Sequence, residues 1–397
     1  MNLPVWWQSI FLAYLFVFLV PMLNQTWIAG IVLILTAAYL FYKTLSPFLP
    51  LALFILGFLT LLGILPVFVL MTSIAIVATG ELASSLCGKK PIFYVIYMIL
   101  GLLVSALIMV YLNYTSIVSA LLGVTVGVML RSILSDSAEE TMIEILGVAM
   151  AMLLIEDLEF HATLRLVIFA MVISFGFGYF AYRFKTADLP GLFSAALVGI
   201  ILIIFADIRW FFLMLSFFVL GSVATRYRID YKKTLHVEQE KGGARGYLNV
   251  FANGIVAAAA AVCYGVFLNP IFIAVYIGSV ATAAADTIAG EIGVCSENPR
   301  LITTFKKVER GTNGGVTLVG EIAGFGGSLL IAGIALILGI ASPALCIACI
   351  IAGFIGTNVD SLIGVVFENR GFIGNAGTNY LSTLIGGVSC AAIFLLL

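Results

Sequence analysis

Residues 247–290 read YLNVFANGIVAAAAAVCYGVFLNPIFIAVYIGSVATAAADTIAG, two apolar runs parted by Leu268-Asn269-Pro270. Each run, 247–267 and then 270–290, has about the 20 residues that an α-helix needs to cross the hydrocarbon of a bilayer. Ala257 to Ala261 and Ala283 to Ala285 make these runs small as well as apolar. Small residues let helices approach closely in lipid, where packing and hydrogen bonds hold helices together. Runs of similar length recur from one end of the chain to the other. Hydrophobic residues make up 62% of the sequence and charged residues 10%, against about 25% charged in soluble domains. Too few polar groups exist to cover a globular surface. The expected fold is all-α, a polytopic integral membrane helical bundle.

About fifteen transmembrane helices are expected from the apolar runs. They lie near 5–22, 27–43, 48–64, 66–86, 93–112, 115–134, 140–156 and 162–183. The remainder lie near 189–206, 210–226, 247–267, 270–290, 316–340, 342–366 and 377–396. If the 227–246 loop is cytoplasmic, alternation puts every Lys and Arg of the 19 except Arg165 and Arg209 on or beside the same face, Lys89, Lys90 and Lys241 included. That bias obeys the positive-inside rule. It sets the N-terminus in the cytoplasm and the C-terminus outside. Met1-Asn-Leu-Pro-Val-Trp-Trp7 has no basic n-region, so no cleaved signal peptide is expected. Two regions differ in character. Residues 1–160 are rich in Leu, Ile, Val and aromatics and form an N-terminal membrane-helix region of unassigned role. Residues 161–397 form a catalytic membrane domain with cytoplasmic loops 227–246, 291–315 and 367–376. Glu81-Leu-Ala-Ser-Ser-Leu-Cys-Gly88 aligns with Asp286-Thr-Ile-Ala-Gly-Glu-Ile-Gly293, which suggests a weak parallel repeat.

Ionised side chains at a helix centre cost roughly 2.5–3.5 kcal/mol on insertion scales, so acids inside spans need a reason. Asp286, Glu291, Glu321 and Asp360 all fall toward the cytoplasmic ends of their spans. Asn249 and Asn253 share a helix face at i and i+4. Asn358 and Ser361 flank Asp360, while Asn375 and Asn379 start the last span. Facing this ring is the loop KKVERGTNGG, 306–315, with Lys306, Lys307 and Arg310. Thr312 or Asn313 can cap a helix beginning near Val316, and Gly314-Gly315 lets backbone N–H groups approach a ligand. Helix N-termini bind anions, and lysine is a regular phosphate ligand. The carboxylates Asp286, Glu291, Glu321 and Asp360 can hold Mg²⁺ or Mn²⁺, which takes one or two carboxylates plus phosphate oxygens. Phosphates on the basic loop and metal on the acids make a phosphoryl-transfer layout. The spacing is not that of a Walker A loop. His161 and His236 fall on opposite sides, so histidine catalysis is not expected. Cys346-Ile-Ala-Cys349 reads as buried small hydrophobes, not a redox or zinc site.

Three segments carry a resemblance: Ala285-Asp-Thr-Ile-Ala-Gly-Glu-Ile-Gly293, the stretch from Arg300 to Val316 that includes Thr303, and Gly356-Thr-Asn-Val-Asp-Ser-Leu-Ile-Gly364. Arg245 with Asn249, Asn253 and Gly254 adds an Arg…Asn-Gly motif. In order along 185–397, they resemble the integral-membrane family of the phytyl-phosphate kinase of vitamin E salvage. That family includes archaeal and bacterial relatives and vertebrate transmembrane protein 19. Its Asn-Asn-Asp motif is altered here to Gly374-Asn375-Ala376. More distantly, the acid followed by a Lys-Lys…Gly…Gly loop resembles dolichol kinase, phytol kinase and phosphatidate cytidylyltransferase. The resemblance implies a kinase that uses CTP, or another nucleoside triphosphate, and divalent metal to turn a prenyl monophosphate into the diphosphate. It further implies metal on Asp286, Glu291 and Asp360, and phosphates on Lys306, Lys307, Thr312 and Asn313, with Arg310 on the acceptor. The implied partners are a prenyl-phosphate lipid, a nucleoside triphosphate and the membrane, with no nucleic acid; a homo-oligomer is compatible. A cytidylyltransferase could use the same ingredients. A secondary transporter would place its polar groups near the midplane.

Overall fold

The computed structural model describes residues 5–23, 25–43, 46–88, 91–135, 137–237 and 243–397. Lys89, Lys90 and Lys241 lie outside the described residues. The helices are α1 (Val5–Leu19), α2 (Thr26–Lys43), α3 (Phe48–Leu61), α4 (Val67–Cys87), α5 (Ile92–Leu112), α6 (Ile117–Leu134), α7 (Glu140–Asp157) and α8 (Leu164–Arg183). They continue as α9 (Leu189–Phe205), α10 (Ile208–Arg226), α11 (Ile229–Thr234), α12 (Tyr247–Phe267), α13 (Ile271–Gly293), α14 (Leu318–Ile337), α15 (Pro343–Ile363) and α16 (Asn375–Leu396). Every expected span corresponds to one of them. Among the described residues, eleven helices are long and apolar enough to cross a membrane; α3, α9 and the segment Ile10–Met22 are apolar but shorter. The protein is a helical membrane protein.

The chain divides into two units, Met1–Ile168 and Phe169–Leu397. In the first, α2 and α3 meet backbone to backbone: a Cβ on Gly30 would lie 2.6 Å from the Gly57 carbonyl oxygen. Helix α4 is buried from Phe68 to Gly80. Near its end an ionic cluster joins four helices. The Arg131 guanidinium reaches Glu81 at 2.9 Å, Glu140 at 2.7 Å and Glu144 at 2.8 Å. Tyr97 Oη donates to Glu144 at 2.6 Å. Glu81, the counterpart of Asp286 in the expected repeat, is therefore held by an arginine.

In the second unit α13 is the central helix, with α10, α12, α14, α15 and α16 packed around it. Its small residues permit this. A Cβ on Gly278 would lie 2.8 Å from the Gly386 carbonyl oxygen of α16, so any larger residue would push the two helices apart. Two residues away on α13, Tyr276 stacks on Trp210 with ring centroids 4.1 Å apart.

The polar stretch 294–317 has structure of its own. Strands β1 (Arg300–Leu301) and β2 (Gly315–Val316) pair antiparallel, Arg300 opposite Val316 and Leu301 opposite Gly315. The Ile302 N–H donates to the Gly314 carbonyl at 2.9 Å. Helix α14 begins at Leu318, and its cap is Thr317, whose Oγ1 accepts from the Gly320 N–H at 3.0 Å. This differs from the expectation that Thr312 or Asn313 caps it: the β1–β2 pairing carries the chain past Val316 before the helix can start. Helix α13 likewise runs to Gly293, so Glu291 sits on the helix and not in a 291–315 loop.

Candidate active site

Helices α13 and α15 lie side by side, and each presents an aspartate at their contact. The Asp286 and Asp360 carboxyls are within hydrogen-bonding reach of each other. Thr357 lies beside Asp286, and Ser382, on α16, lies beside Asp360. Asp360 Oδ1 is buried and has no hydrogen-bond partner among the described residues. Two carboxylates in contact repel unless a proton or a cation lies between them. Glu368, in the π-helical continuation of α15, acts electrostatically on both and accepts from Thr378 Oγ1 at 2.9 Å.

This pair borders a cavity of about 220 Å³. Asp286, Asp360, Glu321 and Glu368 line it from the helices, and Asn375 from the start of α16. Opposite them lie Arg310, Thr312, Asn313, Gly314 and Gly315 from the polar loop. Gly314 has φ +74°, a left-handed value, and its Cβ would lie 2.1 Å from Val365 Cγ2 and 2.7 Å from the Ser361 carbonyl oxygen. Only glycine fits there, and it brings the loop backbone down onto α15. Arg310 is anchored by donating to Tyr231 Oη of α11 at 2.7 Å, with Glu297 at 3.8 Å. Asn358 lies behind the wall and donates to Glu321 at 3.1 Å.

Other expected site residues lie elsewhere. Glu291 does not line the cavity: it accepts from Thr225 Oγ1 at 3.1 Å and pairs with Lys232. Five residues along an α-helix turn through about 500°, which sets Glu291 roughly 140° away from Asp286. Lys232 is fully buried, and its ammonium also donates to the Ala224 and Thr225 carbonyls at 3.1 Å. It caps the end of α10, a role the positive-inside reading of this lysine had not assigned. Lys306 and Lys307 are exposed and do not line the cavity; Lys307 Nζ donates to Asn298 Oδ1 at 2.9 Å. Thr303 is exposed. Asn253 Nδ2 donates to the Asn249 carbonyl at 3.0 Å within α12. Asn379 is buried, with its carbonyl accepting from Ser382 and Thr383. Arg245 borders a different cleft. Thr357, Ser382 and Glu368 join the site without having been singled out; a hydroxyl one turn before Asp360 was the readable signal for Thr357.

Among the described residues, no three His, Cys, Asp or Glu side chains converge closely enough to hold a metal by themselves. Of the four expected carboxylates, Asp286, Glu321 and Asp360 line the cavity, Asp286 and Asp360 in contact, and Glu291 does not.

A family model described as integral membrane protein DUF92 matches residues 172–387, more than half of the chain. An uncharacterized membrane protein of Methanocaldococcus jannaschii is 35% identical over 206 residues, 51% of this chain and 84% of its own. Protein PGR of Arabidopsis thaliana is 33% identical over 232 residues, 52% of this chain and 80% of its own. Protein VTE6, chloroplastic, of the same plant is 30% identical over 190 residues, 45% of this chain and 56% of its own. No solved structure matches.

Proposed function

The chain belongs to the integral membrane protein DUF92 family, and from that premise we propose that it is a membrane-embedded prenyl-phosphate kinase. It transfers the γ-phosphoryl group of a nucleoside triphosphate, CTP by preference, to a prenyl monophosphate. The bond between the γ-phosphorus and its bridging oxygen breaks, an oxygen of the lipid phosphate takes the phosphoryl group, and the nucleoside diphosphate leaves. The observation that carries this reading is one cavity with two contacting aspartates on one wall and Arg310 with a glycine-rich turn on the other. Similarity to protein VTE6 and the resemblance to phytyl-phosphate kinases support the substrate class.

The donor set suits Mg²⁺, since Asp360 Oδ1 lacks a partner and the two carboxylates need a positive neighbour. When bound, the ion would supply charge neutralisation at phosphate oxygens. Asp286 and Asp360 would hold it, with Thr357 and Ser382 beside them. Arg310, steadied by Tyr231, offers N–H donors to a phosphate. Thr312, Asn313 and the Gly314-Gly315 backbone cradle the donor's phosphates. Because each buried CH₂ contributes about 0.8 kcal/mol, a long prenyl chain stays in the hydrocarbon while its head reacts at the boundary. The cavity faces the cytoplasm, where nucleotides are abundant.

The test is purified protein with prenyl monophosphates and each of the four nucleoside triphosphates, labelled at the α or γ phosphorus. The expected result is γ label, and no α label, in a lipid diphosphate. Label from the α position in lipid would instead establish a cytidylyltransferase-type reaction, and no label from either would reject the reading.

A further inference from the structure

The acidic cavity holds a phosphate head group but not a long chain. Its volume, about 220 Å³, is below the roughly 300–1,000 Å³ of pockets that enclose a drug-sized ligand. An acceptor lipid must therefore run its chain out into hydrocarbon, between two of the helices that wall the cavity. Close packing shuts most of these seams. Along α13 and α14, Cβ atoms on Gly320, Gly324 and Gly327 would lie 3.0, 3.1 and 3.2 Å from the carbonyl oxygens of Ala289, Ala285 and Ala284. Between α13 and α15, a Cβ on Gly356 would collide with the Thr282 side chain, as would one on Gly386 of α16.

The seam between α14 and α15 is different. Deep in the span it is tight, since a Cβ on Gly353 would collide with Ser328 Oγ. Toward the cavity, side chains bridge it. Phe325 and Phe354 meet edge to face with ring centroids 6.4 Å apart, and one turn further Asn358 Nδ2 donates to Glu321 Oε2 at 3.1 Å. Glu321 lines the cavity, so this bond stands between the cavity and the outer face of the two helices. That outer face is apolar. Ile322, Phe325 and Leu329 are exposed on α14, and Ile347, Ile351, Phe354 and Leu362 on α15. Along α15 the exposed stripe recurs every three or four residues, the spacing of one helix face. Asn358 takes the position between Phe354 and Leu362, an amide where the stripe calls for hydrocarbon. A polar pair at such a place is costly in lipid and marks a path for substrate.

We propose that the α14–α15 seam is the lateral port of the lipid: the prenyl chain leaves the cavity past Glu321 and Asn358 and lies against Phe325 and Phe354, while its phosphate stays with Asp286, Asp360 and Arg310. The identity of the lipid rests on the kinase reading. Asn358 is fixed at the threshold by donating to the Phe354 carbonyl at 2.9 Å as well as to Glu321. The two rings, one turn deeper, meet the first part of the chain to reach hydrocarbon. A dimethylallyl chain is short enough to remain in the cavity, whereas a geranylgeranyl chain must cross the seam.

The first measurement reads binding without turnover. Geranylgeranyl monophosphate carrying a diazirine on its second isoprene unit is photolysed on purified full-length protein with Mg²⁺ and no nucleotide, and adducts are mapped by mass spectrometry. Adducts on Ile322, Phe325 or Phe354 that unmodified geranylgeranyl monophosphate displaces are the expected result. Displaceable adducts confined to other helices overturn the proposal, as do seam adducts that nothing displaces, or no displaceable adduct at all. The second measurement is KM against chain length. Phe325→Ala/Phe354→Ala should raise KM for geranylgeranyl monophosphate about tenfold or more, and that for dimethylallyl monophosphate less than about twofold. Its melting temperature should stay near wild type, since both rings face lipid. An equal rise for the two chains overturns the port. Displaceable seam adducts without transfer of γ label end the kinase reading and leave the port standing; γ-label transfer with adducts elsewhere does the reverse.

Discussion

Replacing Lys232 by methionine keeps most of the side-chain volume and removes only the ammonium. In the native protein that group, 1% exposed, donates to two carbonyls at the end of α10 and to Glu291, itself 6% exposed. Without it, Glu291 keeps the Thr225 hydroxyl at 3.1 Å and the field of Arg245, and the two carbonyls lose their donor. Breaking one partner of a buried ion pair costs about 3–5 kcal/mol. At about 2–4 °C per kcal/mol for a unit of this size, Lys232→Met should melt about 6–20 °C below wild type in detergent. The double variant Lys232→Met/Glu291→Met removes the stranded charge and should recover about half of the loss, because replacing both partners by apolar groups is often neutral. Recovery is partial since Arg245 then loses the carboxylate that offsets its charge. Tryptophan fluorescence or scanning calorimetry measures all three. Equal melting of the single and double variants would refute the dependence of one side chain on the other.

Asp286→Asn and Asp360→Asn should each lower γ-label transfer by about two or more orders of magnitude, with melting unchanged or raised, because each relieves the contact between carboxylates; near-wild-type transfer would remove these residues from the chemistry. Gly314→Ala forces a Cβ to within 2.1 Å of Val365 Cγ2 at a left-handed φ, so CTP binding should weaken at least about tenfold, measured by equilibrium dialysis. Lys306→Ala/Lys307→Ala, at exposed positions off the cavity, should change KM for CTP by less than about threefold, whereas Arg310→Ala should raise a KM by about tenfold or more. Steady-state kinetics on the three proteins distinguishes these outcomes.

The helices were readable because apolar run length is a direct consequence of bilayer thickness, and the Ala- and Gly-rich spans did become the tightly packed set around α13. The meeting of Asp286 with Asp360 was readable as chemistry, since unpaired acids in spans need a partner, although 74 residues of sequence separate them. Glu291 turns away from the cavity because the five-residue step from Asp286 rotates through about 500° of helix, which a motif in the sequence does not display. Lys232 was illegible for a different reason: a loop lysine looks the same whether it faces water or turns inward, and only the fold of α11 beneath the end of α10 decides. Thr317 replaced Thr312 and Asn313 as the cap because a two-residue strand pairing, too short to leave a periodic signal, intervenes. Glu368 stayed in the site because α15 continues past Ile363 in π-helical turns, a deviation with no marker in the sequence.

The Arg131 cluster constrains how the first unit is made. Glu81 leaves the ribosome 50 residues before Arg131 does, so α4 enters the translocation machinery carrying a carboxylate whose cation does not yet exist. Glu81 lies near the end of α4, where a lone charge costs less than the roughly 2.5–3.5 kcal/mol of a helix centre, and Glu144 follows later still. The pairs that Arg131 makes with Glu81 and Glu144 therefore close only after all 64 residues from Glu81 to Glu144 have been made, so the packing of α4 to α7 around this arginine is completed as a group.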